Sequence, residues 1–239
     1  MSHGIWSAAS GADAQLALLD VAANNAANAS TAGYRGDRIS FKQVLAGANA
    51  GAAAPRYVTR VGSGVDDAQG AVSGTGRGLD VAIRGPGYFA VQTAGGERYT
   101  RAGQFDVGQD GKLRTRSGDL ALGVDGRPIT AKGLDARIDA DGTVRANGQS
   151  VGRLRVVTFT GPLAKEGAQL LRADAASGAP KVTASPILEA SALEMANVSV
   201  VSAMVDMVTA TRSFDACEKA IEAFSDADRK AATTLMGRD

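Results

Sequence analysis

The chain has 239 residues, enough for one β domain with its own core plus a helical stalk, but not for two large globular lobes. Lys and Arg number 26 against 25 Asp and Glu, and no basic run stands out, which argues against nucleic acid as a partner. Thirty glycines against six prolines, with few aromatic residues, indicate many tight turns and close backbone approaches rather than a large aromatic core.

The N-terminal segment predicts neither a secretory signal nor a membrane anchor. It has no basic n-region, and Asp13, Gln15 and Asp20 interrupt the alanine-rich stretch that follows. No run of residues approaches the roughly 18 apolar positions of a membrane span. We therefore expect a chain that is soluble as made, without membrane insertion. The single cysteine, Cys217, is expected to be a small packing residue rather than a reactive thiol.

Residues 1–30 predict an N-terminal assembly helix, running from about residue 4 to residue 28. Its apolar or small side chains recur at three-four spacing, at Ile5, Ala9, Ala12, Leu16, Leu19, Ala23 and Ala26. That is the seven-residue repeat of a coiled coil, which needs a partner helix.

Residues 31–55 predict a turn and a flexible connector. The turn is indicated by Asn24, Asn25, Asn28, Ser30, Thr31 and Gly33. Gly33 is placed to adopt a positive φ just before Tyr34. The stretch from 46 to 55 is a Gly/Ala-rich sequence without periodicity, which is typical of a linker.

Residues 56–185 predict an antiparallel β domain of short strands and hairpin turns. The strands are expected at Leu79 to Arg84, Tyr88 to Gln92, Arg98 to Arg101, Lys112 to Thr115, Ala136 to Asp139, Val144 to Ala146 and Arg153 to Thr158. The turns are expected at Asp110-Gly111, Asp125-Gly126, Asp141-Gly142 and Asn147-Gly148. No helical pattern of ten or more residues separates these strands, which argues against a parallel α/β nucleotide-binding sheet.

Residues 186–239 predict a long C-terminal assembly helix that begins near Ile187. The stripe recurs through Leu193, Ala196, Val200, Ala203, Met207, Ala210, Phe214, Cys217, Ile221 and Phe224, then Ala231 and Leu235. Because both ends of the chain carry the same repeat, they are expected to pair as a coiled-coil stalk. The predicted fold class is therefore α+β, with terminal helices and a central Gly-rich antiparallel β domain.

The C-terminal helix also carries a second apolar stripe, formed by Val198, Val201, Val205 and Val208. One stripe can pack on the N-terminal helix, whereas the other needs a different partner. Exposed valines in a monomer would promote aggregation, which favours an interface between subunits. The alternative is an intramolecular bundle in which the β domain covers the second stripe.

No pattern in the sequence predicts catalysis, a cofactor or a metal site. The only histidine, His3, has no clustered ligand around it. Asp139 to Gly142 resembles the start of a calcium loop, but Val144 and Ser150 stand where the loop requires glycine and glutamate, so a hairpin turn is predicted. The glycines at 74, 76 and 78 lack the spacing and the following helix of a phosphate-binding loop.

Three segments resemble one known family. Ala23-Asn24-Asn25-Ala26-Ala27-Asn28, followed by Thr31, Gly33 and Tyr34, is similar to the N-terminal signature of bacterial flagellar rod and hook proteins. Leu193-Glu194-Met195-Ala196-Asn197-Val198, with the later Met204, Met207, Arg212 and Phe214, is similar to their C-terminal pattern. Between them, Leu79 to Phe89 and Tyr99-Thr100-Arg101 with Gly103 and Phe105 resemble the opening of their β domain.

The resemblance implies a structural subunit of the flagellar basal-body rod, polymerising through its terminal helices to transmit torque across the periplasm. The implied partners are further copies of the chain, other rod subunits and the type III export apparatus, which takes such proteins without a cleaved signal. The short length indicates a proximal-rod type. A distal-rod or hook-type subunit, or a junction protein binding rod neighbours, remains an alternative, and an enzyme opening the cell wall would need a carboxylate pair in a cleft.

The two stripes and the resemblance together nominate an assembly interface. Its residues are Ile5, Leu16, Leu19, Asn24, Asn25, Asn28, Gly33, Tyr34, Leu193, Asn197, Val198, Val200, Val201, Met204, Met207, Phe214 and Ile221.

Overall fold

A computed structural model describes residues 2–45, 56–133 and 135–236, which form two units. The helical unit gathers 2–27, 37–45, 56–63 and 199–236, and the β unit gathers 28–36, 64–133 and 135–198. The predicted connector over 46–55 lies outside the described residues. Two helices and antiparallel sheets confirm the α+β fold class.

The helical unit contains the two terminal helices and a two-stranded sheet. Its elements are α1 Ser2–Asn28, β1 Asp37–Leu45, β2 Arg56–Val65 and α2 Val200–Met236, and β1 pairs with β2. The extent of α1 agrees with the prediction. Its alanines favour the helix, and its end at Asn28 is followed by a turn in which the amide of Thr31 donates to the carbonyl of Asn28 at 2.9 Å.

Strand β1 lies where the sequence predicts a connector. Ile39 and Phe41 are half-buried while Arg38, Ser40 and Lys42 are exposed, the alternation of a strand with one covered face. Asn25 fixes the start of this strand, because its side-chain amide donates to the carbonyl of Asp37 at 3.1 Å and its Oδ1 accepts from the Asp37 amide at 2.8 Å. The helical unit therefore includes a two-stranded sheet that was not predicted from the sequence.

The predicted start of the C-terminal helix near Ile187 is wrong, since α2 begins at Val200. Two strands precede it, and Leu188, Leu193 and Glu194 are buried in the β unit. The helix begins where the carbonyl of Ser199 accepts the amide of Ala203 at 3.0 Å, so Ser199 is its N-cap residue. Leu193, Asn197 and Val198 consequently lie outside the helix. Val200 is the first residue of α2 but is exposed, so the buried part of the stripe starts at Ala203.

The β unit is built from short antiparallel strands. Within its described residues these are β3 Val72–Gly74, β4 Val81–Arg84, β5 Tyr88–Thr93, β6 Gly96–Thr100, β7 Phe105–Val107, β8 Leu113–Thr115, β9 Leu120–Ala121, β10 Ala136–Ile138, β11 Thr143–Ala146, β12 Gln149–Arg153, β13 Val156–Thr158, β14 Ala164–Glu166, β15 Leu170–Arg172, β16 Lys181–Val182, β17 Ile187–Ala190 and β18 Ala192–Glu194. The predicted strand from Arg153 to Thr158 is divided between β12 and β13.

Four sheets organise these strands. The largest has the order β14-β15-β6-β5-β9-β8-β7, with β13 pairing both β5 and β16. Strands β10, β11 and β12 form a three-stranded sheet, while β4 pairs with β17 and β3 with β18. The last two pairings bring residues 187–194 back to the beginning of the unit, which explains why this segment cannot start the helix.

The predicted hairpin turns are confirmed. Gly111, Gly126 and Gly142 have φ values of 75°, 75° and 85°, and Asn147 and Gly148 have φ values of 51° and 77°. Asp139 to Gly142 connects β10 to β11, with the Gly142 amide donating to the Asp139 carbonyl at 2.9 Å. These turns enclose a core in which the rings of Phe89 and Phe105 meet edge to face at 5.5 Å between centroids.

Candidate functional site

Helices α1 and α2 contact each other inside the helical unit at seven-residue steps. A Cβ on Gly4 would lie 2.9 Å from Cε1 of Phe224, and one on Gly11 would lie 3.4 Å from Sγ of Cys217. Seven residues after Gly11 and seven before Cys217, Leu18 and Ala210 both line a groove of this unit. Each step goes forward by seven residues in α1 and back by seven in α2, so the two helices run antiparallel.

The face that α2 turns toward α1 is the predicted heptad stripe from Ala203 onward. Ala203 and Ala210 are buried, and the intervening and following stripe residues Met207, Phe214, Cys217 and Ile221 are half-buried. Small side chains at the closest approaches allow the two backbones to come near each other. The free thiol of Cys217 lies in this face, as its packing role requires.

The stripe predicted for α1 is only partly correct. Ala12, Ala14 and Ala22 are the buried residues, whereas Leu16 is 43% exposed and Ala23 is exposed. Ile5 and Leu19 are half-buried. The closest contacts with α2 are made at Gly4 and Gly11, which an apolar pattern does not mark. Because alanine occurs on every side of α1, its apolar periodicity does not define one face.

A strip of large apolar residues on the first turns of α2 faces solvent. Val200, Val201, Met204, Val205 and Val208 are 41%, 71%, 55%, 59% and 52% exposed. At about 100° per residue, Val201, Val205 and Val208 lie on the opposite side of the helix from Ala203 and Ala210, while Val200 and Met204 lie between the two sides. The second valine stripe of the sequence is thus present from Val201 onward, on a face that no described residue of the helical unit covers.

The centre of the β unit is a buried ionic cluster around Glu194, whose side chain is 1% exposed. Its Oε1 lies 2.9 Å from Nη2 of Arg35, and its Oε2 lies 3.1 Å from Nη1 of Arg101. The two arginines are 3% and 4% exposed, and the amide of Gly70 also donates to Oε1 at 3.0 Å. A carboxylate buried to this degree needs such partners, since an unpaired buried charge is strongly destabilising.

Arg101 is held by neighbours besides Glu194. Its Nη2 donates to the carbonyl of Gly85 at 2.7 Å, and its guanidinium lies 5.2 Å from the ring centroid of Tyr88. Burial lowers the pKa of Arg101, while the charge of Glu194 acts in the opposite direction. Burial, together with donation of its hydroxyl to Asp67 at 2.8 Å, raises the pKa of Tyr88 to about 12. These groups form a fixed polar network rather than a set poised to exchange protons near neutral pH.

Asn197 joins the two segments that continue in sequence into α1 and α2. Its amide donates to the carbonyl of Tyr34 at 3.4 Å, and its Oδ1 accepts from the Gly36 amide at 2.8 Å. Its Nδ2 donates to the carbonyls of Asp66 and Ala68 at 2.8 and 2.9 Å. The side chain and the backbone amide of Asn197 thus join its own segment to residues 34–36 and 66–68, all within the β unit.

Gly33 allows the closest approach in this region. Its φ is 69°, as predicted, and its amide donates to the carbonyl of Glu194 at 2.7 Å. A Cβ here would overlap the backbone of Ala102, so glycine is required by both conformation and space. The following Tyr34 is completely buried, with Nζ of Lys165 at 4.0 Å from its ring centroid.

The three segments that carry the family resemblance therefore meet at one place. Arg35 directly follows Gly33 and Tyr34, Arg101 belongs to the central segment, and Glu194 belongs to the C-terminal one. Arg101 and Glu194 are part of the sequence motifs, but no role was predicted for them or for Arg35. Opposite charges inside segments that are otherwise apolar and glycine-rich were the available signal.

Other nominated residues lie apart from this cluster. Leu193 is buried in β18, Val198 is half-buried just before α2, and Asn24 lies on the exposed side of α1. In the part of the chain that the structure describes, no group of histidine, cysteine, aspartate or glutamate is arranged to hold a metal ion. Neither described helix is long and apolar enough to cross a membrane.

Paired terminal helices, an exposed apolar face and a buried centre that joins chain segments define a structural α+β protein. Three family descriptions match in chain order: "Flagella basal body rod protein" at residues 5–35, "Flagellar hook protein FlgE/F/G D1 domain" at 82–146, and "Flagellar basal body rod FlgEFG protein C-terminal" at 189–234. Together they include Arg35, Arg101 and Glu194.

Curated relatives match nearly the whole chain. The chain is 35% identical to the flagellar basal-body rod protein FlgF of Escherichia coli, over 95% of each chain. It is 34% identical to FlgF of Salmonella typhimurium, over 97% of each, and 32% identical to FlgG of Bacillus subtilis, over 92% of this chain and 94% of the relative. The chain belongs to the flagellar basal-body rod protein family, and within it the chain is FlgF-like.

Membership confirms two predictions. The chain is a structural subunit of the flagellar basal body, and it is not an enzyme, because its relatives are structural rod proteins. Family membership also indicates assembly with other flagellar rod subunits.

Proposed function

We propose that this chain is a proximal-rod subunit whose terminal helices pair as an antiparallel coiled coil and pack against neighbouring subunits to transmit torque. The observation that carries the proposal is the division of α2 into two faces. One face meets α1 at seven-residue steps through Gly4 and Gly11, and the other exposes Val201, Met204, Val205 and Val208. A coiled coil in which one helix keeps a second apolar face is suited to a larger helical assembly.

The ionic cluster supports a mechanical role for the β unit. Glu194 and Asn197 tie the segments adjoining both helices to each other through buried ion pairs and backbone hydrogen bonds. A load applied to either segment is then shared by the strands that surround the cluster, since close-packed protein interiors are stiff and transmit strain. In this proposal the helices make the contacts between subunits, and the β unit joins the chain segments that continue into the two helices.

Membership in this family is the basis for two further parts of the proposal. The chain leaves the cell through the flagellar type III export apparatus, and its helices become fully ordered on incorporation into the rod. An isolated helix of the length of α1 is only marginally stable in water, which is compatible with ordering during assembly.

The experiment compares one substitution on α2 with one in the β unit, in cells that depend on this chain for motility. Val201→Asp places a charge on the exposed face, so it should abolish swimming and remove the chain from purified basal bodies while leaving the helical content unchanged. Val124→Asp, an equally apolar and 50% exposed site in the β unit, is the matched control and should preserve swimming. Normal motility and normal incorporation of the Val201→Asp chain would contradict the proposal.

A further inference from the structure

The helical unit contains an open groove between α1, β1 and α2. Its volume is about 570 Å³, and its apolar lining comes from Leu18, Val21, Ala22, Ile39 and Ala210. Such a volume is large enough to accept several side chains of a helix.

The polar residues of the groove carry an acidic excess. Among the described lining residues, Asp37 and Asp206 outnumber the one cation, Arg38, so the lining has a net charge of about −1 even if Arg38 compensates Asp37. Asp206 is exposed and forms no ion pair within the described residues. An apolar ligand with a cationic end therefore complements this groove in both respects.

The exposed strip of α2 has this chemistry. Its apolar residues Val201, Val205 and Val208 follow three-four spacing, and the next position in the same row is Arg212. Arg212 is exposed and, among the described residues, has no carboxylate partner. The strip thus presents a row of valines that ends in a free guanidinium.

The strip and the groove occupy different sides of α2. The strip lies opposite Ala203 and Ala210, and Ala210 is part of the groove. A subunit therefore cannot insert its own strip into its own groove. When the strip of one copy occupies the groove of a second copy, the groove of the first and the strip of the second remain open. Such a heterologous contact continues from subunit to subunit.

Resting on the proposed function, we propose that the strip of one copy, Val201 to Arg212, docks into the α1–β1–α2 groove of the next copy. The valines cover the apolar lining, and the guanidinium of Arg212 meets the carboxylate of Asp206. The occupant of the groove is thus a second copy of this chain, held head to tail.

The test uses the full-length chain in flagellated cells with cysteines placed on the two surfaces. In a Cys217→Ala background, Val205→Cys marks the strip and Ser40→Cys marks the rim of the groove, and a short bis-maleimide is applied to purified basal bodies. Chains with both cysteines should give a ladder beyond the dimer. Equal amounts of singly marked chains, one with each cysteine, should give dimers only. Val124→Cys combined with Ser40→Cys is the control that should give no ladder.

Charge exchange provides the second measurement. Arg212→Glu should lower the cross-linking yield about tenfold by placing like charges together, and Asp206→Arg in the same chain should restore it. Both residues are exposed, so neither change disturbs the packing of α1 on α2.

Basal bodies that contain the chain but yield no ladder would overturn the docking and leave the proposed function intact. The same holds if the Val205→Cys chain alone cross-links as well as the double variant, since that result indicates face-to-face pairing. Cross-linking only to a different rod protein would also overturn it, and basal bodies that lack the chain altogether would overturn both proposals.

Discussion

At the level of single residues, the decisive contact is the one that Glu194 makes with two arginines inside the β unit. Each carboxylate oxygen has its own guanidinium, and a backbone amide adds a third donor. Arg35 and Arg101 are two buried cations against one buried anion, Glu194. Loss of the Glu194 charge should therefore destabilise the cluster more than loss of either arginine charge. Replacement of the carboxylate would leave two buried guanidinium groups without the carboxylate that compensates their charge.

Glu194→Gln should therefore lower the free energy of unfolding by about 3–5 kcal/mol, measured by urea denaturation of the full chain. The matched control is Glu189→Gln, five residues earlier. Its carboxylate pairs with Arg84 at 2.6 Å on the exposed surface, so the change should cost less than about 1 kcal/mol. Equal costs for the two substitutions would show that the buried cluster does not stabilise the unit.

At the level of elements, the sequence predicted α1, the hairpin turns and the antiparallel character of the β unit, because each depends on local patterns. Alanine content, paired Asx-Gly dipeptides and period-two strands carry that information. The start of α2 could not be predicted in this way, since Leu188 and Leu193 fit a helical stripe equally well. Their burial against β4 and β3 is a long-range effect that overrides local periodicity.

The contact face of α1 and the buried ionic cluster were not predicted, because neither produces a local sequence pattern. The exposed valines of α2 were predicted because they form a row, whereas the contacting face of α1 consists of glycine and alanine. Glycines such as Gly4 and Gly11 allow close helix contact because they have no side chain, so they do not appear in a pattern of apolar residues. Arg35, Arg101 and Glu194 are far apart in sequence, and only the folded β unit brings them together.

Gly11 offers a test of how closely the two helices approach. A Cβ there meets Cys217 Sγ at 3.4 Å, which is ordinary van der Waals contact, and alanine favours a helix over glycine. Gly11→Ala should therefore raise the stability of the helical unit by about 0.5–1 kcal/mol, read from thermal unfolding followed by circular dichroism. Gly11→Leu is too large for the space and should lower it. Stabilisation by leucine would mean that the helices do not pack at this position.

At the level of the whole molecule, each unit contributes a different property to a rod subunit. The helical unit has two contacting helices with one apolar face left exposed, and the β unit has a buried cluster that joins the segments adjoining both helices. Under the proposed function, neighbouring subunits cover an apolar strip that would otherwise favour aggregation. The central claim is that neighbouring subunits cover this strip.

Cryo-electron microscopy of basal bodies purified from cells that produce this chain tests that claim most directly. We expect density for the chain within the rod, with α1 and α2 antiparallel, Gly11 facing Cys217, and Val201, Val205 and Val208 covered by a neighbouring subunit. A rod in which this strip faces solvent, or from which the chain is absent, would contradict the account.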